Sequence, residues 1–254
     1  MSRFAWPAAF VAGLLASSIP AAAQRAPGAS PTGLPTDTLA LACAPASSYG
    51  LPATPLRLTG GQDVVTRRIY GTGDLVTLNA GSTNGIRVGQ EFYVRRVLVQ
   101  SGHKSDGSEP VTIRTAGWIK VWAVDDAMSL ATVTHACDSL EVGDYLEPFK
   151  LPEPVVPNPN KPKAERDHYA RVMLGDDLKT IFGKGDFFTI NRGTQDGLKP
   201  GAQFVVYRDK KETDNFLFEL GEAVAVNVGE RASTLRVTLS RDAFIEGDYV
   251  AERK

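Results

Sequence analysis

Two cysteines, three histidines and a set of recurring aspartates define the chemistry open to this 254-residue chain. A nucleophilic triad needs a histidine beside a Ser or Cys. His103, His135 and His168 lie far apart in three unrelated settings. Gly81-Ser82-Thr83-Asn84-Gly85 has the wrong spacing for a nucleophile elbow. Gly183-Lys184 lacks both the preceding glycine and the following Ser/Thr of a phosphate-binding loop. Gly71-x-Gly73 lacks the third glycine of a dinucleotide fingerprint, and no His-Glu-x-x-His occurs. Two cysteines are too few for a zinc ribbon or a disulfide-dense miniprotein. The residues therefore predict no catalytic centre, no cofactor and no metal, with the histidines as surface or packing residues. Lys plus Arg is 28 against Asp plus Glu 29, a formal net charge of −1. That balance speaks against a general nucleic-acid binder and against a polybasic membrane-surface protein.

The elements that would position these residues come as a duplication. Ile69-Tyr70-Gly71-Thr72-Gly73-Asp74 matches Ile181-Phe182-Gly183-Lys184-Gly185-Asp186, 112 positions on. The register holds through Asn79, Gly81, Gly85, Gly89, Phe92, Val94 and Arg96, which meet Asn191, Gly193, Gly197, Gly201, Phe204, Val206 and Arg208. A second block, from Gly117 to Gly143-Asp144-Tyr145, matches Gly221 to Gly247-Asp248-Tyr249 at an offset of 104. The first repeat thus carries eight extra residues between Arg96 and Gly117. Short β-branched and aromatic runs alternate with Gly-Asp and Asn-x-Gly turns in both copies. Strands are predicted at 75–78, 91–99, 117–124, 130–135 and 145–148, and at 187–190, 203–208, 221–228, 234–239 and 249–251. Asp167 to Ile181 reads either as a helical turn or, at Arg171-Val172-Met173-Leu174, as a strand leading in.

Outside the repeats the chain reads as leader and tether. Arg3, an apolar run from Phe4 to Ala16, Pro20 and Ala21-Ala22-Ala23 form the three-part pattern of a secretory signal peptide cut before Gln24. The run is too short to span the roughly 30 Å of a bilayer. The predicted organisation is a signal peptide at 1–23, a flexible N-terminal segment at 24–60, a β domain at 61–149, a Pro-rich linker at 150–165 and a second β domain at 166–254. The linker, stiffened by Pro152, Pro154, Pro157, Pro159 and Pro162, would hold the two domains apart. Small antiparallel β-barrels or sandwiches are the predicted fold of both.

Each chemically interesting residue then has a place. Asp74, Asp144, Asp186 and Asp248 follow glycine at strand starts, where a carboxylate accepts backbone N–H bonds and fixes the turn. With Gly73, Asn79, Gly81, Gly85, Gly89, Gly143, Gly185, Asn191, Gly193, Gly197, Gly201 and Gly247 they read as structural turns. Cys43 and Cys137, in an oxidising compartment, pair with each other, with free thiols or an intermolecular bridge as the alternatives. Trp118, Lys120 and Trp122 share one strand face, where the second repeat has Glu222, Val224 and Val226. That face looks apolar, so Trp122 is expected in the core. Trp118, at a position that is glutamate in the second repeat, is expected half-exposed beside the longer Leu98–Thr115 loop. Trp118 with His103, Lys104 and Asp106 is the candidate binding surface; the competing reading has Trp118 capping the barrel.

The string Gly-Asp-x4-Asn-x-Gly-x3-Gly-x3-Gly-x2-Phe-x-Val, closed by Gly-Asp-Tyr, resembles the small C-terminal β domain of the flagellar assembly protein T family. It is also similar to β modules that accompany LysM domains in bacterial envelope proteins. The resemblance covers each repeat. It implies an envelope-associated assembly module and brings no catalytic residues. Without a LysM repeat or the N-terminal flagellar domains, a flagellar role does not carry over. The reading is a non-enzymatic exported protein, periplasmic or secreted, that binds another envelope protein. The alternatives are a peptidoglycan or carbohydrate binder and an enzyme of unrecognised type. No nucleic-acid partner and no transmembrane anchor after cleavage are expected.

Overall fold

The structure, a computed structural model, describes residues 34–50, 52–63, 65–98, 109–153, 169–175, 179–209 and 216–253. The leader, most of the linker, and His103, Lys104, Asp106 and His168 lie outside them. Among the described residues no helix is long and apolar enough to cross a membrane.

The protein is mostly β. One short helix, α1 (Thr36–Ala42), precedes β1 (Ala46–Tyr49) and β2 (Leu58–Gly61). Then come β3 (Ile69–Tyr70), β4 (Leu75–Leu78), β5 (Glu91–Leu98), β6 (Pro110–Val124), β7 (Ser129–Ala136), β8 (Leu140–Glu141) and β9 (Tyr145–Pro148). These build an antiparallel sheet in the order β2-β4-β7-β6-β5-β9, with β1 added against β6, while β3 pairs with β8. The second repeat supplies β10 (Ala170–Gly175), β11 (Ile181–Phe182), β12 (Phe187–Ile190), β13 (Gln203–Asp209), β14 (Leu217–Val228), β15 (Ser233–Ser240), β16 (Phe244–Ile245) and β17 (Tyr249–Glu252). Here β10-β12-β15-β14-β13-β17 close into a six-stranded barrel, and β11 pairs with β16.

The two strand orders are the same order. In the barrel, Val172 N donates to Asp248 O at 2.9 Å and Gly247 N to Val172 O at 2.8 Å. In the first repeat, Leu58 N donates to Asp144 O at 2.9 Å and Gly143 N to Leu58 O at 2.8 Å. Asn79 and Asn191 repeat as well, their side-chain oxygens accepting from Arg57 N at 2.7 Å and Arg171 N at 2.8 Å. Each repeat therefore begins one strand earlier than its most similar residues suggest. The expectation of a flexible segment up to residue 60 is corrected from residue 34 onward. Leu-Thr-Gly-Gly reads as tether by composition, yet backbone pairing to β4 and burial of Leu58 make it a sheet strand.

Two apolar clusters fill the interiors. One gathers Leu58, Val76, Leu78, Val94, Ile119 and Val121; the other gathers Phe188, Ile190, Phe204, Ala223, Ala225 and Leu235. The shared turns serve this packing. A 3-10 turn at Ser82–Asn84, and its copy at Thr194–Asp196, ends on Gly85 and Gly197, both at φ +81°. That left-handed conformation costs an L side chain but not glycine, and it drops Ile86 and Leu198 into the two cores. Gly117 and Gly221 are needed for a different reason. A Cβ there would lie 2.2 Å from His135 O or 2.1 Å from Leu239 O, across the strand pair.

β6 is longer than the sequence pattern predicts, because part of the extra sequence extends it back to Pro110. β1 covers that extension, with Ala46 opposite Ile113 and Tyr49 opposite Pro110. β1 also reaches the second repeat. Ser47 Oγ is buried within 2.7 Å of Thr189 Oγ1 and 2.8 Å of Thr234 Oγ1. The Arg231 guanidinium sits 4.3 Å from the Tyr49 ring centre. The expectation that the linker holds the repeats apart is corrected at this contact: a strand from the N-terminal segment lies between them, and its hydroxyl satisfies two buried threonines.

Candidate functional site

The outer face of β6 carries the features that distinguish the first repeat from the second. Alternation along a strand puts residues two apart on one side. Ile119 and Val121 point into the core, and their counterparts Ala223 and Ala225 do the same. Trp118, Lys120 and Trp122 therefore face outward, as do the half-buried Val224 and Val226. Bulges between Trp118 and Ile119 and between Val121 and Ala123 mark both tryptophans.

Trp122, expected in the core, lies outside, and Trp118 is covered, in line with the competing reading that it caps the barrel and against the half-exposed binder. Trp118 is 2 % exposed and Trp122 56 % exposed. Trp118 is covered because the N-terminal segment and the chain after β9 fold over it. It packs with Ala42 and Tyr93, against Leu34, Leu39, Phe149 and the two cysteines. Its ring lies 5.2 Å from Phe149 and 4.7 Å from His135, centre to centre. Cys43 and Cys137 are joined as a disulfide that spans 94 residues and pins α1 to the end of β7. Burial pulls the His135 imidazole below its ordinary pKa, and its Nδ1 is buried with no hydrogen-bond partner among the described residues. Trp118 is thus a buried anchor and not a binding surface, and His103, Lys104 and Asp106 are not described beside it. Inward, Ile119 and Val121 are replaced by Ala223 and Ala225, so in the second repeat the larger valines lie outside and alanines line the core.

Among the described residues nothing folds over Trp122, which is 56 % exposed. It borders an open groove of about 570 Å³ with Val88, Lys120, Thr72, Thr132 and Thr134. Val88 is 65 % exposed, an apolar neighbour that a core strand would not leave in water. Lys120 Nζ lies 3.2 Å from Glu91 Oε1, and Thr72 Oγ1 accepts from Ala136 N at 2.9 Å. The groove therefore offers one large ring, one aliphatic patch and a border of hydroxyls and charge. Lys184, Pro200, Val224, Val226, Arg236 and Thr238 hold these positions in the second repeat, so the aromatic platform belongs to the first alone. Alternation along β6 separates Ile119 and Val121 from Trp118, Lys120 and Trp122 but does not by itself say which set lies inside.

The four recurring aspartates are consumed by structure. Asp74 Oδ2 accepts from Gly71 N at 2.8 Å, and Asp186 Oδ2 from Gly183 N at 2.9 Å. The Gly71 N–H bond, with help from Arg67, holds the Asp74 carboxyl below its usual range. For Asp186 burial raises the pKa, but Lys179 and the Gly183 N–H outweigh it and the net shift is downward. Asp144 is clamped two-pronged by Arg96, both N–O distances 2.8 Å, and also accepts from Glu141 N. Asp248 repeats this with Arg208 at 2.8 and 2.7 Å and with Ile245 N. A carboxylate held by an arginine fork and a backbone N–H has little capacity left for proton transfer to a substrate. No protein-family model and no curated protein matches this chain.

Proposed function

We propose that this is an exported, non-enzymatic bacterial envelope protein that acts as an assembly or scaffold module and binds another envelope protein through the Trp122 groove. The observation that carries the reading is the 56 % exposure of Trp122 beside an exposed Val88. A tryptophan left in water on a rigid strand gives large contact area at low entropy cost, and such residues dominate interface energetics. In this proposal the two repeats are modules joined by the Pro-rich linker at 150–165, with β1 as a further tie. Their likeness to the C-terminal domain of the flagellar assembly protein T family and to LysM-associated β modules supports an envelope setting. The Cys43–Cys137 bridge supports export, because such a bond persists in oxidising compartments.

A second reading is favoured by the border of the groove. Thr72, Thr132 and Thr134 line the groove together with Trp122, and an aromatic face with polar neighbours also suits a sugar ring of peptidoglycan. One experiment separates the two. Wild type and Trp122→Ala are offered envelope protein extract and, separately, sedimented peptidoglycan. Envelope proteins retained by wild type and lost with Trp122→Ala support the scaffold. Co-sedimentation lost with Trp122→Ala transfers the proposal to the carbohydrate. Binding that ignores Trp122 removes the groove from both.

A further inference from the structure

We propose that Cys43, His135 and Cys137 form a thiol-gated metal site: closed as a disulfide and, once a dithiol reductant has opened it, a two-thiolate, one-imidazole site for a thiophilic d10 cation, Zn2+ or Cu+. Sulfur, sulfur and an imidazole nitrogen already lie within 4.8 Å of one another. His135 contributes a second, independent observation. Its Nδ1 is buried and has no hydrogen-bond partner among the described residues, a cost that a ligand bond would remove. The Trp118 ring packs against the imidazole, 4.7 Å away centre to centre.

The geometry allows the change of state. Reduction moves two electrons and two protons from the dithiol. The S–S bond breaks, two S–H bonds form, and the reductant leaves as its own disulfide. The cation then displaces both thiol protons to solvent and takes two thiolates and a neutral imidazole. Two metal–sulfur bonds of about 2.3 Å at a tetrahedral angle separate the sulfurs by about 3.8 Å. The Cα atoms are 5.6 Å apart, so rotation about the Cα–Cβ bonds reaches that separation. Both backbones stay pinned, Cys43 N to Leu39 O and Cys137 N to Ala116 O, each at 2.9 Å. Soft thiolates with one imidazole select zinc or cuprous copper over hard cations. All three residues are only half-buried, which leaves them open to a reductant and a metal. The second repeat carries Leu239 and Arg241 where the first has His135 and Cys137. The β module itself therefore does not need these residues, and the site is a property of the first repeat.

The test uses the full chain, oxidised or reduced with a phosphine, titrated with Co2+ as a spectroscopic probe. The reduced protein should bind one equivalent with a thiolate-to-cobalt charge-transfer band, Zn2+ should displace it, and the oxidised protein should show no band. Cys43→Ser should abolish the band. His135→Leu, which installs the residue of the second repeat, should weaken binding by about tenfold or more. Competition with a cuprous chelator assigns Cu+ or Zn2+ as the preferred cation. Three results overturn the proposal: equal binding by the oxidised protein, no charge-transfer band on reduction, or unchanged affinity in His135→Leu. Reduction that abolishes the native near-UV signal, with no recovery on adding Zn2+, overturns it as well.

Discussion

Truncating the two outward-facing tryptophans should have opposite consequences. Trp118 is 2 % exposed, with Tyr93, Phe149, Ala42 and the disulfide around it. Removing a buried tryptophan ring costs about 3–5 kcal/mol, the transfer of the ring plus the cavity left behind. The low end applies here. One wall of the cluster is α1, only seven residues long, and its partly buried Leu39 can settle into part of the space. Trp118→Ala should therefore lose about 3 kcal/mol, or about 6–12 °C in Tm for a chain of this size. Trp122 sits in water, so Trp122→Ala should change stability by no more than about 0.5 kcal/mol. It should weaken partner binding by about 1–3 kcal/mol, as truncation of an interface anchor does. Urea denaturation followed by far-UV circular dichroism, without reductant, gives both stabilities. A Trp118→Ala protein as stable as wild type would refute the covered cluster. A Trp122→Ala protein losing several kcal/mol would refute its exposure and with it the groove.

Arg96→Ala and Arg208→Ala should each cost about 3 kcal/mol. Each strands an aspartate whose side chain is 3 % exposed, and breaking a buried pair is expensive. Because the geometry is duplicated, the two losses in chemical denaturation should agree within about 1 kcal/mol, allowing for context. Ser47→Ala removes the hydroxyl shared by Thr189 and Thr234. It should cost about 1–3 kcal/mol and split thermal unfolding into two steps by calorimetry; a single unchanged transition would contradict a coupling role for β1. Acid should also weaken the fold through Asp74 and Asp186, whose folded pKa values lie below the unfolded ones. Their stabilisation is present above the unfolded value of about 3.9 and is lost as pH falls through the lower folded values. Asp74→Asn should flatten part of that fall in pH-dependent melts, and an unchanged acid slope would argue against it.

Local chemistry made much of this protein readable from its residues. Gly-Asp and Asn-x-Gly punctuation between short apolar runs gave strands close to 75–78, 187–190 and 145–148, since turn conformations and strand alternation depend on near neighbours. The recurrence of Asp74 and Arg96 as Asp186 and Arg208 at one offset, and of Asp144 as Asp248 at a second, marked a duplicated architecture. Cys43 and Cys137 were paired by count and compartment. The face of β6 was not readable. Trp118, Lys120 and Trp122 alternate as well as Ile119 and Val121 do, and period two cannot say which side is inside. Only the core that the closed-up sheet encloses decides that. Nor could composition show that Ala46–Tyr49 and Leu58–Gly61 are strands, because their partners are backbone groups distant in sequence. Whether Trp118 is a surface or an anchor rests on the same kind of fact: α1, Phe149 and the Cys43–Cys137 bridge come from residues up to 82 positions away and meet only once the chain is folded.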